Sequence, residues 1–535
     1  MTQLYQGLVD AGRIRAATEI LKTYKQAKAA LEERILSNER WYRLRHWQEL
    51  RQGHATGDPE PASAWLLNCI LNKHADAMDS YPQPVVLPRE AGDTEAAALI
   101  GKVLPAVREL CHYEQVWSDV WWYKLKMGTG VTGVFWNPEK SDGAGDIDIR
   151  KVDLLNLFWE PGITDIQASR NVFHLEAVDR DLLEEQYPAL RGHLAGQAFD
   201  LARYAWQDGQ AGNRDKAVVV DWYYKKRQGG RTVLHYCKFV CGTDIPLFAT
   251  ENDPAYAQRG LYAHGKYPFV FDTLFPVEGS PCGFGYVDIC RSPQSYIDQL
   301  DSVLLKYAVM ASRPRFFIRG DGMVNEQEFA DWTRDFVHFV GSGDPRDSVL
   351  PVTVPTLNGI YADIRERKVE EMKETAGNRD FQQGGTSGGV SAASAIEALQ
   401  EAGSKLSRDM IRSAYRADAG VNELCIELMR EFYTTPRYFR VAGGGFATFT
   451  PDLLAERHSM AFGVDMGSHK PVFDIVVKSE KASPFSTDAQ NERAKELFRL
   501  GFFRPDMADQ ALKALDMMRF DGIEEVRARI KAMDN

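Results

Sequence analysis

The sequence is poor in the patterns from which compact reactive sites are made. Its seven cysteines (69, 111, 237, 241, 282, 290 and 425) are an odd number, widely scattered, with no CxxC pair. That excludes a disulfide framework and a zinc-finger arrangement. Cys237 and Cys241 fall in a strand-like run and read as buried structural thiols. Eleven histidines form no HExxH motif, so neither a metal site nor any other cofactor site is expected. No run approaches the roughly twenty apolar residues that cross a bilayer. The opening MTQLYQGLVDAGRIRAATEI lacks the basic-then-apolar order of a signal peptide, which implies synthesis in the cytosol and no membrane partner. Fixed-period repeats are also missing, which disfavours a solenoid or propeller.

What remains is an ordinary soluble composition, 44% hydrophobic and 26% charged over 535 residues, enough for three or four domains. The formal charge of −11 is uneven: residues 13 to 51 hold ten Lys or Arg against five Glu, while the rest is acidic. Proteins that grip DNA by its phosphates cluster cations. An acidic chain suits instead a surface past which DNA slides.

Periodicity gives an α+β order. Helical spacing covers residues 11 to 51, Trp65 to Met78 and the region Glu95 to Trp122. Short β-type runs follow, including VTGVFWN, DIDIRKV, LNLFWEP, NVFHLEAV, KAVVVDWYYKKR, GRTVLHYCKFV and YPFVFDTLF, separated by Gly, Asp, Asn and Pro. An amphipathic helix then opens with Ser292 as N-cap and Pro293 in its first turn, and closes at Pro314. RPRFFIRG, NEQEFADWTRDFVHFV and SVLPVTVP read as strand, helix, strand. A charged helix, Ile360 to Thr375, leads into GNRDFQQGGTSGGVS and then into a helix of about forty residues, roughly 60 Å long. Ser394 and Glu397 have capping-box spacing at its start, and Leu406, Met410, Ala414, Ala417, Val421, Leu424, Leu428 and Phe432 form its stripe. Gly403 and Gly420 inside it mark kinks or close crossings. Strands return after it, and three short helices end the chain, the first stopped by Gly501.

Several motifs touch on chemistry. The glycine-rich loop lacks the GK[ST] ending of a phosphate-binding loop, and in GLYAHGKY (Gly260 to Tyr267) a tyrosine replaces the magnesium-holding hydroxyl. GTSGG around Ser387 matches GxSxG, but no buried strand precedes it. No catalytic constellation emerges. Glu366, Glu370 and Glu374, with Asp363 nearby, share one face of the charged helix; this is either a solvated face or, in a ring of subunits, an acidic band along a pore. The loop is either a flexible linker or a polar protrusion carrying Asp380, Gln382, Gln383 and Thr386.

Val120 to Pro188, His264 to Tyr307 and the loop with its long helix, taken in order with the strand-helix-strand insert between two helices, resemble the portal proteins of tailed bacteriophages. The resemblance implies a ring-forming fold, usually of twelve copies. Residues 1 to 285 and 436 to 484 would form the wing, 286 to 312 and 359 to 378 the stem, and 313 to 358 the clip. Residues 379 to 391 would form a tunnel loop, 392 to 435 a long wing helix and 485 to 535 the crown. It further implies a non-enzymatic channel at one capsid vertex, made in the host bacterial cytoplasm and residing in the virion, through which DNA is packaged, retained and ejected. Asp363, Glu366, Glu370 and Glu374 would line the channel; Arg379, Asp380, Gln382, Gln383, Gly384, Gly385, Thr386 and Ser387 would form the tunnel loop. Arg313, Arg315, Arg319 and Trp332 would meet clip partners. Those implied are further copies of the chain, double-stranded DNA, the terminase large subunit, a head-completion or adaptor protein, and the major capsid and scaffolding proteins. The alternatives are another ring-forming virion connector, or a nucleotide-binding enzyme using Gly384 and Gly385.

Overall fold

The computed structural model describes residues 7–51, 57–194, 201–204, 216–312, 315–320, 324–342, 344, 347–353, 356–377, 405–441, 445–461 and 464–481, and of the last segment 496, 498–501, 511–512, 515, 526–527 and 529–531. The chain divides into two compact units. One comprises Met1–Lys73, Val120–Val131 and Lys151–Arg408; the other comprises His74–Asp119, Thr132–Arg150 and Asp409–Asn535. Both combine helices with antiparallel strands, the α+β class expected.

In the first unit the β-rich runs build a five-stranded antiparallel sheet, Leu157–Trp159, Asn171–Asp179, Lys216–Gln228, Arg231–Val240 and Pro246–Ala249, neighbours in sequence being neighbours in space. The tightest link is Gly229-Gly230, where both residues take left-handed φ (+56° and +83°), as a two-residue hairpin turn demands. One face of the sheet presents Phe173, Trp222, Tyr224, Cys237 and Phe239 to Ala17, Leu21 and Tyr24 of the Ala11–Tyr42 helix. Burial keeps the thiols protonated, pushing Cys237 up to about 12 and Cys241 up to about 11.

The basic N-terminal helix spends part of its charge inside this unit. Arg13 pairs with Glu251 at 2.6 Å, Lys28 donates to the carbonyls of Leu154 (2.5 Å) and Leu157 (2.9 Å), and Arg34 donates to the carbonyl of Gly283 (2.6 Å). Lys28 and Arg34 thereby cap backbone carbonyls, and Arg13 joins Tyr224 and Lys226 of the sheet on the buried Glu251 carboxylate. The helix ends at Tyr42, earlier than its periodicity suggested, and only Trp47–Leu50 resumes it.

Two expectations in this unit are corrected. The helix placed at Ser292 begins at Tyr286 and runs to Ser312, because the Asp288 carboxylate accepts the Gly285 N–H at 2.8 Å and caps the earlier start; Pro293 lies inside the helix. The helix expected across residues 325–340 is only Glu326–Ala330. Asp331 accepts the Thr333 N–H (3.1 Å) and hydroxyl (2.6 Å), and Glu328 accepts the His338 N–H (2.9 Å), so side chains bind backbone that a helix would need.

In the second unit most of the Lys405–Phe432 helix buries the expected stripe, with Met410, Ala414, Val421, Leu424 and Leu428 inside. Its proposed start at Ser394 and Glu397, and Gly403, lie outside the described residues. Gly420 sits within an unbroken helix. Asp418 and Asn422 occupy the same buried face, and both accept from Arg108 Nη1, at 3.0 and 3.1 Å; the Tyr113 hydroxyl donates to Asp418 at 2.7 Å. At the helix's C-terminal residue, Phe432 stacks on Trp136 with ring centroids 4.7 Å apart.

An unexpected strand, Ser80–Pro88, pairs antiparallel with Phe473–Lys481. Three prolines concealed it. The Pro82 carbonyl accepts Arg108 Nη2 at 3.0 Å and the Ser80 carbonyl accepts the Tyr415 hydroxyl at 2.9 Å, so the even-numbered positions face away from the partner strand. Pro82, Pro84 and Pro88 therefore stand where a missing N–H breaks no ladder bond. Near the C-terminus Gly501 takes φ +79° at the expected helix stop, and Ala511, Leu515 and Ile530 pack together.

Candidate functional site

Within the first unit the helices Tyr286–Ser312 and Ile360–Ala376 pack side by side. Arg365 meets Asp301 at 2.5 Å while Lys368 lies 5.6 Å from the Tyr296 ring centre, so rising numbers on one helix meet falling numbers on the other: the pair is antiparallel. Val369, Met372 and Ala376 face inward. Asp363, Glu366, Glu370 and Glu374 are all exposed, and none forms an ion pair among the described residues. Two of the neighbouring cations are engaged elsewhere, Arg365 with Asp301 and Lys368 with Glu371 at 2.7 Å. The acidic row thus keeps its charge at the surface. Gly377 ends the helix with φ +68°, its N–H reaching the Glu374 carbonyl at 3.0 Å.

The root of the first helix is fixed by buried polar bonds that sequence inspection did not anticipate. Asp298 is fully buried; one of its oxygens accepts the Ser63 N–H (3.1 Å), the Ser63 hydroxyl (3.1 Å) and Gln294 Nε2 (2.9 Å), and the other meets His46 Nδ1. A second hub is Glu49, which accepts from Ser37 (2.8 Å), Arg40 (2.7 Å), Trp41 (2.7 Å) and Arg291. Burial opposes its charge, but these donors hold its carboxyl below the usual range. Apart from Gln294, four residues earlier on the same helix as Asp298, the donors lie on other elements, so local spacing does not announce either hub.

Past Ser302 the first helix buries nothing: Val303, Leu305, Val309 and Met310 are exposed, as are Ile360, Tyr361 and Ile364 on the second. Beyond lies the pair of strands Arg315–Ile318 and Val349–Val352. Phe316 packs against Phe329 with ring centres 5.0 Å apart, while Arg315, Phe317 and Arg319 share the exposed alternate positions. Trp332 is 90% exposed and Phe336 79%. Monomeric proteins seldom display so much apolar surface without a partner.

Arg313 and the whole loop Arg379, Asp380, Gln382, Gln383, Gly384, Gly385, Thr386 and Ser387 lie outside the described residues. GLYAHGKY is a packing turn. Its Tyr267 is fully buried, with the hydroxyl donated towards the carbonyls of Ser169 (2.8 Å) and Arg170 (2.9 Å). Among the described residues no cluster of His, Cys, Asp and Glu is arranged to hold a metal ion, and no helix is long and apolar enough to cross a membrane.

No curated protein matches the chain. The family model for the phage P22-like portal protein matches residues 75–255 and 257–535, which takes in the helix pair, its strand-bearing tip and parts of both units. An antiparallel helix pair with an acidic exposed row, an apolar side that no described residue covers, and that match over most of its length lead to one statement of kinship: this chain belongs to the phage P22-like portal protein family.

Proposed function

We propose that copies of this chain close into a ring whose central channel carries double-stranded DNA through one capsid vertex. The match to the portal family over nearly the whole chain carries this reading. In it the helices Tyr286–Ser312 and Ile360–Ala376 are the stem, residues 313–358 the clip, 379–391 the tunnel loop, 392–435 the long wing helix and 485–535 the crown; the remainder is wing. Twelve copies are the expected number. The exposed apolar positions of the helix pair support copy-to-copy contact, since burying them against a neighbour gains about 25 cal/mol per Å². The exposed row Asp363, Glu366, Glu370 and Glu374 then lines the channel and repels the phosphates of passing DNA.

Arg315, Arg319 and Trp332, exposed on the clip, face the terminase large subunit during packaging and a head-completion or adaptor protein afterwards; scaffolding and major capsid proteins meet the outer surface. The chain is a conduit and ATP hydrolysis belongs to the motor. Deleting Gln382 to Gly389 tests the loop's part: rings still form, while packaging or retention of DNA falls. Normal packaging and retention by that deletion would remove the loop from the account.

A further inference from the structure

All seven cysteines of the folded chain are buried free thiols. Two of them meet where the Trp65–Met78 helix packs against the root of the Tyr286–Ser312 helix, although they lie far apart in sequence. Hydrogen bonds set the register there. Gln294 Oε1 accepts the Leu66 N–H at 3.0 Å, while Gln294 Nε2 donates to the Ser63 carbonyl at 2.9 Å. Ser63 also donates its N–H to Asp298 at 3.1 Å, so rising numbers on one segment meet falling numbers on the other. Cys69 lies three residues after Leu66 and Cys290 four before Gln294, each on the same helix face as its anchor. This antiparallel register sets the two side chains opposite one another, at 3% and 0% exposure, and the Cys290 thiol hydrogen-bonds to Cys69.

The contact makes the two sulfurs unequal. The hydrogen bond from Cys290 holds the Cys69 thiol below its usual value; burial opposes this, and the Lys73 ammonium one turn further along the helix assists it. Cys290, as donor, is pushed up by the same bond and then by burial. Burial alone dominates elsewhere, pushing Cys282 up to about 12 and Cys111 up to about 11. A thiolate-leaning sulfur beside a second, resolving sulfur is the arrangement from which reversible disulfides form.

We infer that Cys69 and Cys290 are a redox couple, which a peroxide converts into a disulfide that staples the two helices together. Hydrogen peroxide is little larger than water and reaches thiols that bulkier oxidants do not. The Cys69 thiolate attacks one peroxide oxygen, the O–O bond breaks, and the departing hydroxide takes up the proton that Cys69 lost, leaving a sulfenic acid. The Cys290 sulfur then attacks the Cys69 sulfur; the S–O bond breaks and the oxygen leaves as water with the Cys290 proton. Two thiols are oxidised by two electrons, and one peroxide is reduced to two waters. Cytosolic thiol buffers reverse the step, and an oxidising exterior preserves it. Both cysteines belong to one unit of one chain, so the inference does not rest on the ring reading.

The test uses the full chain, with Cys69→Ala and Cys290→Ala as variants and Cys237→Ala as a control. Each folded protein is treated with hydrogen peroxide and quenched with catalase, and its remaining thiols are blocked with a maleimide after unfolding. Mass spectrometry then counts free thiols and locates links. The wild type loses two of its seven thiols to a single link between the Cys69 and Cys290 peptides, and dithiothreitol restores both. Cys237→Ala keeps the link, while Cys69→Ala and Cys290→Ala each abolish it. In Cys290→Ala, which lacks the resolving sulfur, Cys69 stays as a sulfenic acid that dimedone labels at least about tenfold faster than Cys282. The wild-type link decides the matter even where a variant folds poorly. A folded wild type that keeps both thiols, oxidises them further without linking them, or links either one to another cysteine overturns the inference.

Discussion

Asp301 on the Tyr286–Ser312 helix accepts Arg365 Nε at 2.5 Å, at the edge of the inward face that Val369 and Met372 occupy, while Glu366 and Glu370 stand exposed. The same contact ties the two helices together and keeps Arg365 from pairing with those acids. Both side chains are partly shielded, at 30% and 18% exposure, which lifts the pair above a surface salt bridge. A double-mutant cycle with Asp301→Ala and Arg365→Ala is expected to give a coupling of about 1 kcal/mol in denaturant unfolding. Additive single effects would show that the helices are held by their apolar contacts alone.

Charge reversal at Glu366, Glu370 and Glu374 addresses the acidic row. All three are exposed and make no ion pair among the described residues, so replacement by lysine leaves folding and ring formation intact. Packaging in capsids carrying the triple variant slows and becomes more salt-sensitive, because cations on the wall bind DNA phosphates. The triple glutamine variant has a smaller effect.

Arg108 and Asp418 form the buried pair of the second unit, with side-chain exposures of 3% and 0%. Asp418→Ala leaves a buried guanidinium without a carboxylate partner among the described residues, and is expected to cost about 3–5 kcal/mol. The double variant Arg108→Met/Asp418→Leu removes both charges and loses less than the single one, as chemical denaturation would register.

His264 sets a sensitivity to acid. Burial, then Lys266 and Lys225, push its pKa down to about 4 from 6.5, and its Nδ1 accepts the Lys266 N–H at 3.0 Å, a bond that protonation breaks. Between pH 6.5 and 4 the unfolded chain binds a proton at this position that the folded chain does not, so stability is lost as pH falls through that window. His264→Gln flattens this limb by about 2 kcal/mol, allowing for partial exposure. An unchanged limb in His264→Gln would place the acid sensitivity elsewhere.

Much of the fold was readable because its signals are local. Alternation in KAVVVDWYYKKR and GRTVLHYCKFV, with Gly-Gly between the strands, specifies a hairpin, and the three-and-four spacing from Met410 to Leu428 specifies a buried helical stripe. Even the acidic row was visible from spacing alone. What escaped depends on distant partners. Asp418 interrupts an apolar stripe for a reason that resides in Arg108, and Asp298 is explained only by His46 and Ser63. Ser80–Pro88 reads as a breaker until the parity of its prolines against Phe473–Lys481 is known. At Tyr286 the weak Gly285/Asp288 cap was overlooked in favour of the stronger local signal Ser292-Pro293.

The central claim is that this chain makes a ring with a passage for duplex DNA. Electron microscopy of the purified protein, with end-on views classified by rotational symmetry over several salts and concentrations, tests it most directly. The account predicts closed rings with a central hole wide enough for a duplex, twelvefold by expectation. Only compact monomers or dimers under every condition, with capsid and scaffolding proteins added as well, would contradict it.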